Sequence, residues 1–295
     1  MAHLRTLAFG LVLSGIALGF LRPVTAQEQA PARSADDAAL LDGILEKASV
    51  YARKLNDYAY YFVCREAVTE KLVGKTKFTY SRSSAIEGSA GGQTMSARDT
   101  STTNTYLYEY QLVRKQGENE EKRSLIEKNG QRLIVPDAKL EAMRFHFENF
   151  AFGPIDIFGA VGRERHGYEI VGRDKVKGEK AIIIEARSTA ETADYNPGGK
   201  VWVREGDNAI LKIEWDQKTM AGFKDISAAA DAVNAIPMFI LVTEYGVEKN
   251  GIRFPSRVLM REAYLRTKTR KIQKVSEVTI DYKDYKFFQV EVETQ

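Results

Sequence analysis

Short stretches in which apolar and polar residues alternate, joined by brief turns, recur along most of this chain. In "GKVWVREGDNAILKIEWDQ", residues 199–217, two such runs flank a turn at Glu205-Gly206-Asp207-Asn208. The second run puts Leu211, Ile213 and Trp215 on one face and Lys212 and Glu214 on the other, which is the period of a strand. "RSLIEKNGQRLIV" and "EYGVEKNGIRFPSRVLM" place Asn129-Gly130 and Asn250-Gly251 between apolar runs. Asn-Gly suits the two positive-φ positions of a tight hairpin. Further strands are expected at "TYLYEYQLV", "GYEIVGRDKV", "KAIIIEARS", "FILVTEYGV", "RFPSRVLMREAYL", "KVSEVTIDY" and "KFFQVEVE". Successive strands with short links predict a mostly antiparallel meander, unlike the strand–helix alternation of a parallel sheet.

The start "MAHLRTLAFGLVLSGIALGFLRPVTAQEQA" has Arg5, an apolar run from Leu7 to Phe20 and small residues before Gln27. That order is the pattern of a secretory signal peptide cut near Ala26, giving a periplasmic or secreted protein. The apolar run is shorter than the roughly 20 residues of a spanning helix. Removal of 1–26 takes away Arg5 and Arg22 and lowers the formal charge from +3 to +1. Such a balance gives no general attraction to nucleic acid. Residues 27–295 fit one large β domain. Cys64 is the only cysteine, so no intrachain disulfide forms, and a buried, inert thiol is expected.

"SADDAALLDGILEKASVYARKLND" carries Leu40, Leu41, Ile44, Leu45, Ala48, Tyr51, Ala52 and Leu55 at helical spacing. It runs into "YAYYFVCREAVTEKLV", whose aromatic and β-branched content predicts the first strand. Residues 83–102, with "EGSAGGQTMSARDTST", offer little to bury and are expected to form a loop. Tyr106, Tyr108 and Tyr110 make an aromatic stripe on one strand face.

Two segments interrupt the meander. In 143–162, rich in Phe, Gly153-Pro154 is expected to break any helix. In 220–240, an alanine-rich helix is expected to end before Pro237. Both are apolar enough to cover a sheet face and leave an apolar cavity beneath. Phe150, Phe152, Ile155 and Phe158 are expected in the lid, and Tyr106, Tyr108, Tyr110, Trp202 and Trp215 on the sheet as ligand-binding residues of the cavity. A basic run with Arg261, Arg266, Lys268, Arg270, Lys271 and Lys274 predicts a solvated hairpin tip or a contact for anionic headgroups or an acidic partner.

Catalytic signals are sparse. With His146, His166 and Cys64 as the only such residues after the leader, a zinc site is poorly supplied, and no HExxH occurs. "EGSAGG" around Ser89 is not G-x-S-x-G, and "NPGG" at 196–199 lacks the lysine of a phosphate loop. Carboxylates are plentiful, so a two-carboxylate hydrolase stays open, but nothing singles out a pair. No cofactor, metal or catalytic residue is expected.

The leading helix, the meander and "GKVWVREGDNAILKIEWD" resemble the LolA/LolB-like lipoprotein-sorting carriers of the bacterial periplasm. "EYGVEKNGIRFPSRV", with its proline after the turn, is similar to a strand-turn-strand of that superfamily, and "DYKDYKFFQVEVE" to the close of secreted relatives. The resemblance covers about 36–293. It implies a mainly β (α+β) fold, a strongly curved antiparallel half-barrel covered by an N-terminal helix and short lid helices. It also implies a non-enzymatic protein binding a lipid, acyl chain or lipidated protein. An envelope-stress or other protein-binding module on the same fold is the alternative, with an envelope protein as partner. Replacing Phe150 and Phe152 by Ser is expected to weaken uptake of a fluorescent fatty acid more than it lowers the unfolding midpoint; equal losses make them core.

Overall fold

The structure, a computed structural model, describes residues 35–58, 62–82, 93–115, 118–142, 153–189, 197–220 and 223–288. Helix α1 (Ala35–Tyr58) opens it, with Asp36 and Asp37 in the first turn facing the positive end of the helix dipole. Leu41, Ile44, Leu45, Ala48, Tyr51, Ala52 and Leu55 are buried as one stripe, while Leu40 falls just outside it. The Tyr51 hydroxyl fastens this helix to a distant strand: it donates to the Arg253 carbonyl at 2.6 Å and accepts from the Arg253 amide at 3.1 Å. No helix among the described residues is long and apolar enough to cross a membrane.

The strands are β1 (Phe62–Arg82), β2 (Gln93–Lys115), β3 (Glu118–Lys128), β4 (Gln131–Val135), β5 (His166–Val176), β6 (Glu179–Ser188), β7 (Gly199–Arg204), β8 (Ile210–Trp215), β9 (Ala235–Glu244), β10 (Val247–Lys249), β11 (Ile252–Phe254), β12 (Arg257–Arg266) and β13 (Ile272–Phe287). Eleven of them form one antiparallel sheet in the order β4-β3-β2-β1-β13-β12-β9-β8-β7-β6-β5, and β10 and β11 pair separately. The sheet is open, with β4 and β5 at its edges. The first and last strands lie side by side in its middle, so closing the sheet's centre needs both chain ends. Helices α2 (Gly153–Phe158), α3 (Ala160–Arg165) and α4 (Phe223–Asp231) complete the mainly β, helix-covered architecture.

Turn chemistry fixes the register. Asn129-Gly130 and Asn250-Gly251 close β3–β4 and β10–β11 with both residues at positive φ, as the sequence predicts. Lys177-Gly178 does the same between β5 and β6. At the β7–β8 turn, Arg204 closes a fork on Asp207 and also pairs with Glu179. Arg253 reaches Glu179 at 3.2 Å, which ties this turn to the β10–β11 hairpin.

Several expectations need correction. Residues 93–102 are strand, paired with β1 from Arg82↔Gln93 onward; only 83–92 lie outside the described residues. Their backbone ladder with β1 makes them strand without an apolar stripe in the sequence. Gly153-Pro154 opens α2, because proline is tolerated in a first turn where its missing N–H has no partner to lose. The alanine-rich helix α4 does end before Pro237, at Asp231, and Pro237 lies inside β9. Leu211 leaves the face of Ile213 and Trp215: a bulge pairs Trp202 with Lys212 and Val203 with Ile210, and Leu211 packs with Trp202 and Ala181 instead.

One continuous core joins the α1 stripe, Ile157 and Phe158 of α2 and the inward residues of the sheet, among them Val68, Leu112, Val201, Leu241, Val258 and Ile280. It is not uniformly apolar. Glu66, Glu70 and Glu262 are buried on the same face. Arg123 grips Glu66 with two bonds, Nε–Oε2 at 2.6 Å and Nη2–Oε1 at 3.0 Å, and reaches Glu121 at 2.8 Å. Tyr282 donates to Glu66 at 3.1 Å and Tyr110 to Glu121 at 2.9 Å. Burial pushes the Glu66 carboxyl up against the pull of Arg123, and the two carboxylates hold Arg123 charged. Arg123→Met, which strands Glu66 inside the core, is expected to cost about 3–5 kcal/mol in urea unfolding. The double change with Glu66→Leu is expected to cost less than the sum of the single changes, and strict additivity would rule out the coupling.

Candidate functional site

The inner face of β8 is the base of the site. Trp215 is buried there, and its indole Nε1 donates to the Thr243 hydroxyl at 3.0 Å. The start of α2 rests on this ring. A Cβ on Gly153 would stand 2.6 Å from Trp215 Cζ2 and 2.7 Å from the Tyr245 hydroxyl, so only glycine lets the helix lie so close. Ile157 and Phe158 then point into the core, and Phe158 stacks on Tyr168 with ring centres 5.9 Å apart. The Tyr168 hydroxyl donates to the Ile157 carbonyl at 2.5 Å, a bond that satisfies an end carbonyl of α2.

His166 fixes the far end of this cover. Its ring nitrogens face the Gly162 carbonyl at 2.8 Å and the Pro197 carbonyl at 3.1 Å, joining α3 to the segment before β7. A neutral imidazole donates to only one of them. The histidine is a buried structural tie. Asp156, half-buried in α2, carries a carboxyl that burial pushes up to about 7.

A groove of about 500 Å³ opens beside Trp215. It exists because β8 ends at Trp215 while β9 continues, so the β8–β9 ladder stops short of Ala235 to Leu241. The Phe239 amide, which points there, is met by the Gln217 side chain at 3.1 Å. Pro237 shares that parity, so its lack of an N–H costs nothing where no strand would receive it. Trp215, Phe239 and Ala186 supply the apolar wall, and the rim carries both signs, Arg187 and Lys200 against Glu185, Glu214 and Asp216. Arg187 is itself paired with Glu169 at 3.1 Å and with Glu185.

The residues picked out from the sequence separate in space. Tyr106, Tyr108 and Tyr110 are buried on the inner face; Tyr108 receives the Glu141 amide at 3.1 Å, and Tyr110 belongs to the Arg123 network. Phe158 and Ile155 join the core under α2, whereas Phe150 and Phe152 lie outside the described residues. Trp202 faces the opposite side of the sheet from Trp215. Its indole donates to Asp174 at 3.1 Å and Lys212 Nζ sits 3.4 Å from its ring centre. Arg266, Lys268, Arg270, Lys271 and Lys274 gather at the β12–β13 turn, far along the sheet from β6 and β7. The groove residues Phe239, Gln217 and Thr219 were not foreseen, because three strands and a turn distant in sequence create them together. The buried glutamates did leave a signal: Glu66 and Glu70 alternate with Cys64 and Val68 at inward parity. Among the described residues no group of three or more His, Cys, Asp or Glu side chains is placed to hold a metal ion.

No protein-family model matches the chain, and no curated protein matches it. Among solved structures, it is similar to a LolA superfamily protein from Nitrosomonas europaea at 15% identity, covering 85% of this chain and 94% of that one, with a TM-score of 0.36. It is similar to a DUF1329 family protein from Desulfovibrio piger at 15% identity, covering 86% and 94%, with a TM-score of 0.34. An outer membrane lipoprotein-sorting protein domain from Vibrio parahaemolyticus is similar at 11% identity, covering 84% and 95%, with a TM-score of 0.33. The first of these structures bears the superfamily name that the sequence motifs suggest.

The raised Asp156 carboxyl has a stability consequence. Its folded value of about 7 lies above its ordinary 3.8, so the fold favours the neutral acid. That contribution is whole below about pH 4 and is lost as pH rises towards about 7. Asp156→Asn is therefore expected to gain stability over the parent between about pH 4 and pH 8, by a few kcal/mol at roughly 1.4 kcal/mol per unit. A stability difference that stays flat across this range would show that the carboxyl titrates normally.

Proposed function

We propose that the chain is a non-enzymatic binding protein of the cell envelope that shelters an acyl chain, free or attached to a lipidated protein, between the inner sheet face and the α2–α3 cover. The observation that carries this reading is the shared role of Trp215. The same ring walls the groove and supports the start of α2, so a ligand tail passing inward from the groove meets a six-residue helix. Displacing so short a helix uncovers apolar surface without breaking the sheet. The groove volume falls in the roughly 300–1,000 Å³ range of small-ligand sites. Burial of a tail contributes roughly 25 cal/mol per Å², which needs no directional chemistry. The mixed-sign rim matches no single head-group charge, so the tail supplies the affinity.

A second reading, a protein-binding regulatory module, draws support from the edge strand β4, where Leu133, Ile134 and Val135 are all exposed. An unpaired strand edge with apolar side chains is a template for another chain's strand.

The two readings part on Gly153→Val, which places methyl groups against Trp215 and Tyr245 and keeps α2 from seating. Faster uptake of a fluorescent fatty acid is expected from this variant, with a lipid recovered by organic extraction of the detergent-free parent protein. Parent protein that is empty and takes up no acyl probe, with Gly153→Val merely less stable, would make α2 ordinary core and shift attention to β4.

A further inference from the structure

One corner of the outer sheet face is apolar. Where β9, β12 and β13 end together, cross-strand register sets Ile236, Leu265 and Ile272 in a row. Ile236 and Ile272 are 50% and 59% exposed. Met238 and Ala263 stand in the next row beside Lys274, and Ile240 in the third, where the Arg261–Glu277 pair at 2.7 Å bounds the patch. On the other side of the first row the chain turns through 267–271, exposing Lys268, Arg270 and Lys271.

This tip is held in place. The Arg266 amide donates to the Lys271 carbonyl and the Arg270 amide to the Arg266 carbonyl, both at 2.9 Å. The Thr267 hydroxyl donates to the Asn234 carbonyl at 2.9 Å. Arg266 itself is committed to Gln273 and the Val233 carbonyl, so it braces the corner. Lys268, Arg270 and Lys271 make no ion pair among the described residues, and no Asp or Glu occurs from 263 to 276. Aliphatic side chains and uncompensated cations therefore sit side by side on one rigid surface.

We propose that this corner docks on an anionic lipid surface, with Ile236, Leu265 and Ile272 entering the interfacial layer and Lys268, Arg270 and Lys271 meeting the headgroups. Charge complementarity selects this occupant: apolar side chains beside clustered cations fit a negatively charged interface. The outward apolar residues are aliphatic or methionine, whereas protein hot spots favour tryptophan, tyrosine and arginine. The inference is independent of the acyl-chain reading, since the corner lies on the face opposite Trp215.

The test is co-sedimentation of the chain from Gln27, the form expected after loss of the leader, with two kinds of vesicle. Binding is expected to phosphatidylcholine mixed with phosphatidylglycerol, weakening with added salt, and not to phosphatidylcholine alone. The triple variant K268Q/R270Q/K271Q is expected to bind on the order of 100-fold more weakly, at roughly fivefold per charge. The pair I236S/I272S is expected to lose on the order of tenfold, as binding follows buried apolar area. Unchanged urea midpoints and acyl-probe uptake in both variants would separate docking from folding and from cavity binding. Equal sedimentation of parent and variants, or none of the parent with anionic vesicles, overturns the proposal. An effect of the cations without the isoleucines overturns insertion. Retention of the parent on an acidic peptide column but not on anionic vesicles overturns the lipid surface in favour of a protein contact.

Discussion

Keeping one face of an eleven-stranded sheet from water is the demand that shapes this molecule. At about 4.8 Å per strand the sheet is about 48 Å wide, while the 24 residues of α1 reach about 36 Å. One helix cannot cover the face alone. The short helices α2 and α3, helix α4 and the β10–β11 hairpin supply the rest of the cover. The Tyr51 bonds to the backbone of Arg253 join the long helix to one of these smaller pieces, so the cover is linked across parts of the chain about two hundred residues apart.

The interior divides in character. Around Trp215, Tyr245 and Phe158 it is aromatic, and across β1, β2, β3 and β13 it holds the Glu66–Arg123–Glu121 network. Buried ion pairs of this kind add little net stability relative to apolar packing, but they penalise any arrangement that separates the partners. Here the partners come from β1 and β3, with β2 and β13 contributing tyrosines, so the network pins the register of four strands. Around Trp215 the directional bonds are neutral ones, from its indole to the Thr243 hydroxyl and from the Tyr168 hydroxyl to the Ile157 carbonyl.

The elements governed by nearby residues were legible. Helix α1 follows from its apolar spacing, and the Asn-Gly hairpins follow from their φ requirements. What was hidden depends on long-range pairing. Residues 93–102 are polar, and their strand state comes from a ladder with β1. Alternation shows that Trp202 and Trp215 lie on strands, yet a period of two does not say which parity is inside; the pairing of Gly199 with Trp215 and of Trp202 with Lys212 puts the two rings on opposite faces, and the bulge beyond them turns Leu211 outward. The groove was invisible for a similar reason: it is the gap left where β8 stops and β9 continues, a difference in strand length between neighbours. Glu66 and Glu70 were readable as carboxylates at inward parity, although their partners were not.

Cys64 has a consequence of its own. It is the only cysteine of the chain, it is 1% exposed, and its thiol is pushed up by burial and by the nearby Glu66 carboxyl. A disulfide-forming or alkylating reagent in solution therefore meets no reactive sulfur while the centre of the sheet is closed. Cys64 lies on β1 near the end that pairs with Tyr110 and follows the α1 connection. The native protein thus carries a silent clock: the rate at which this one sulfur is labelled counts openings of the sheet's central seam.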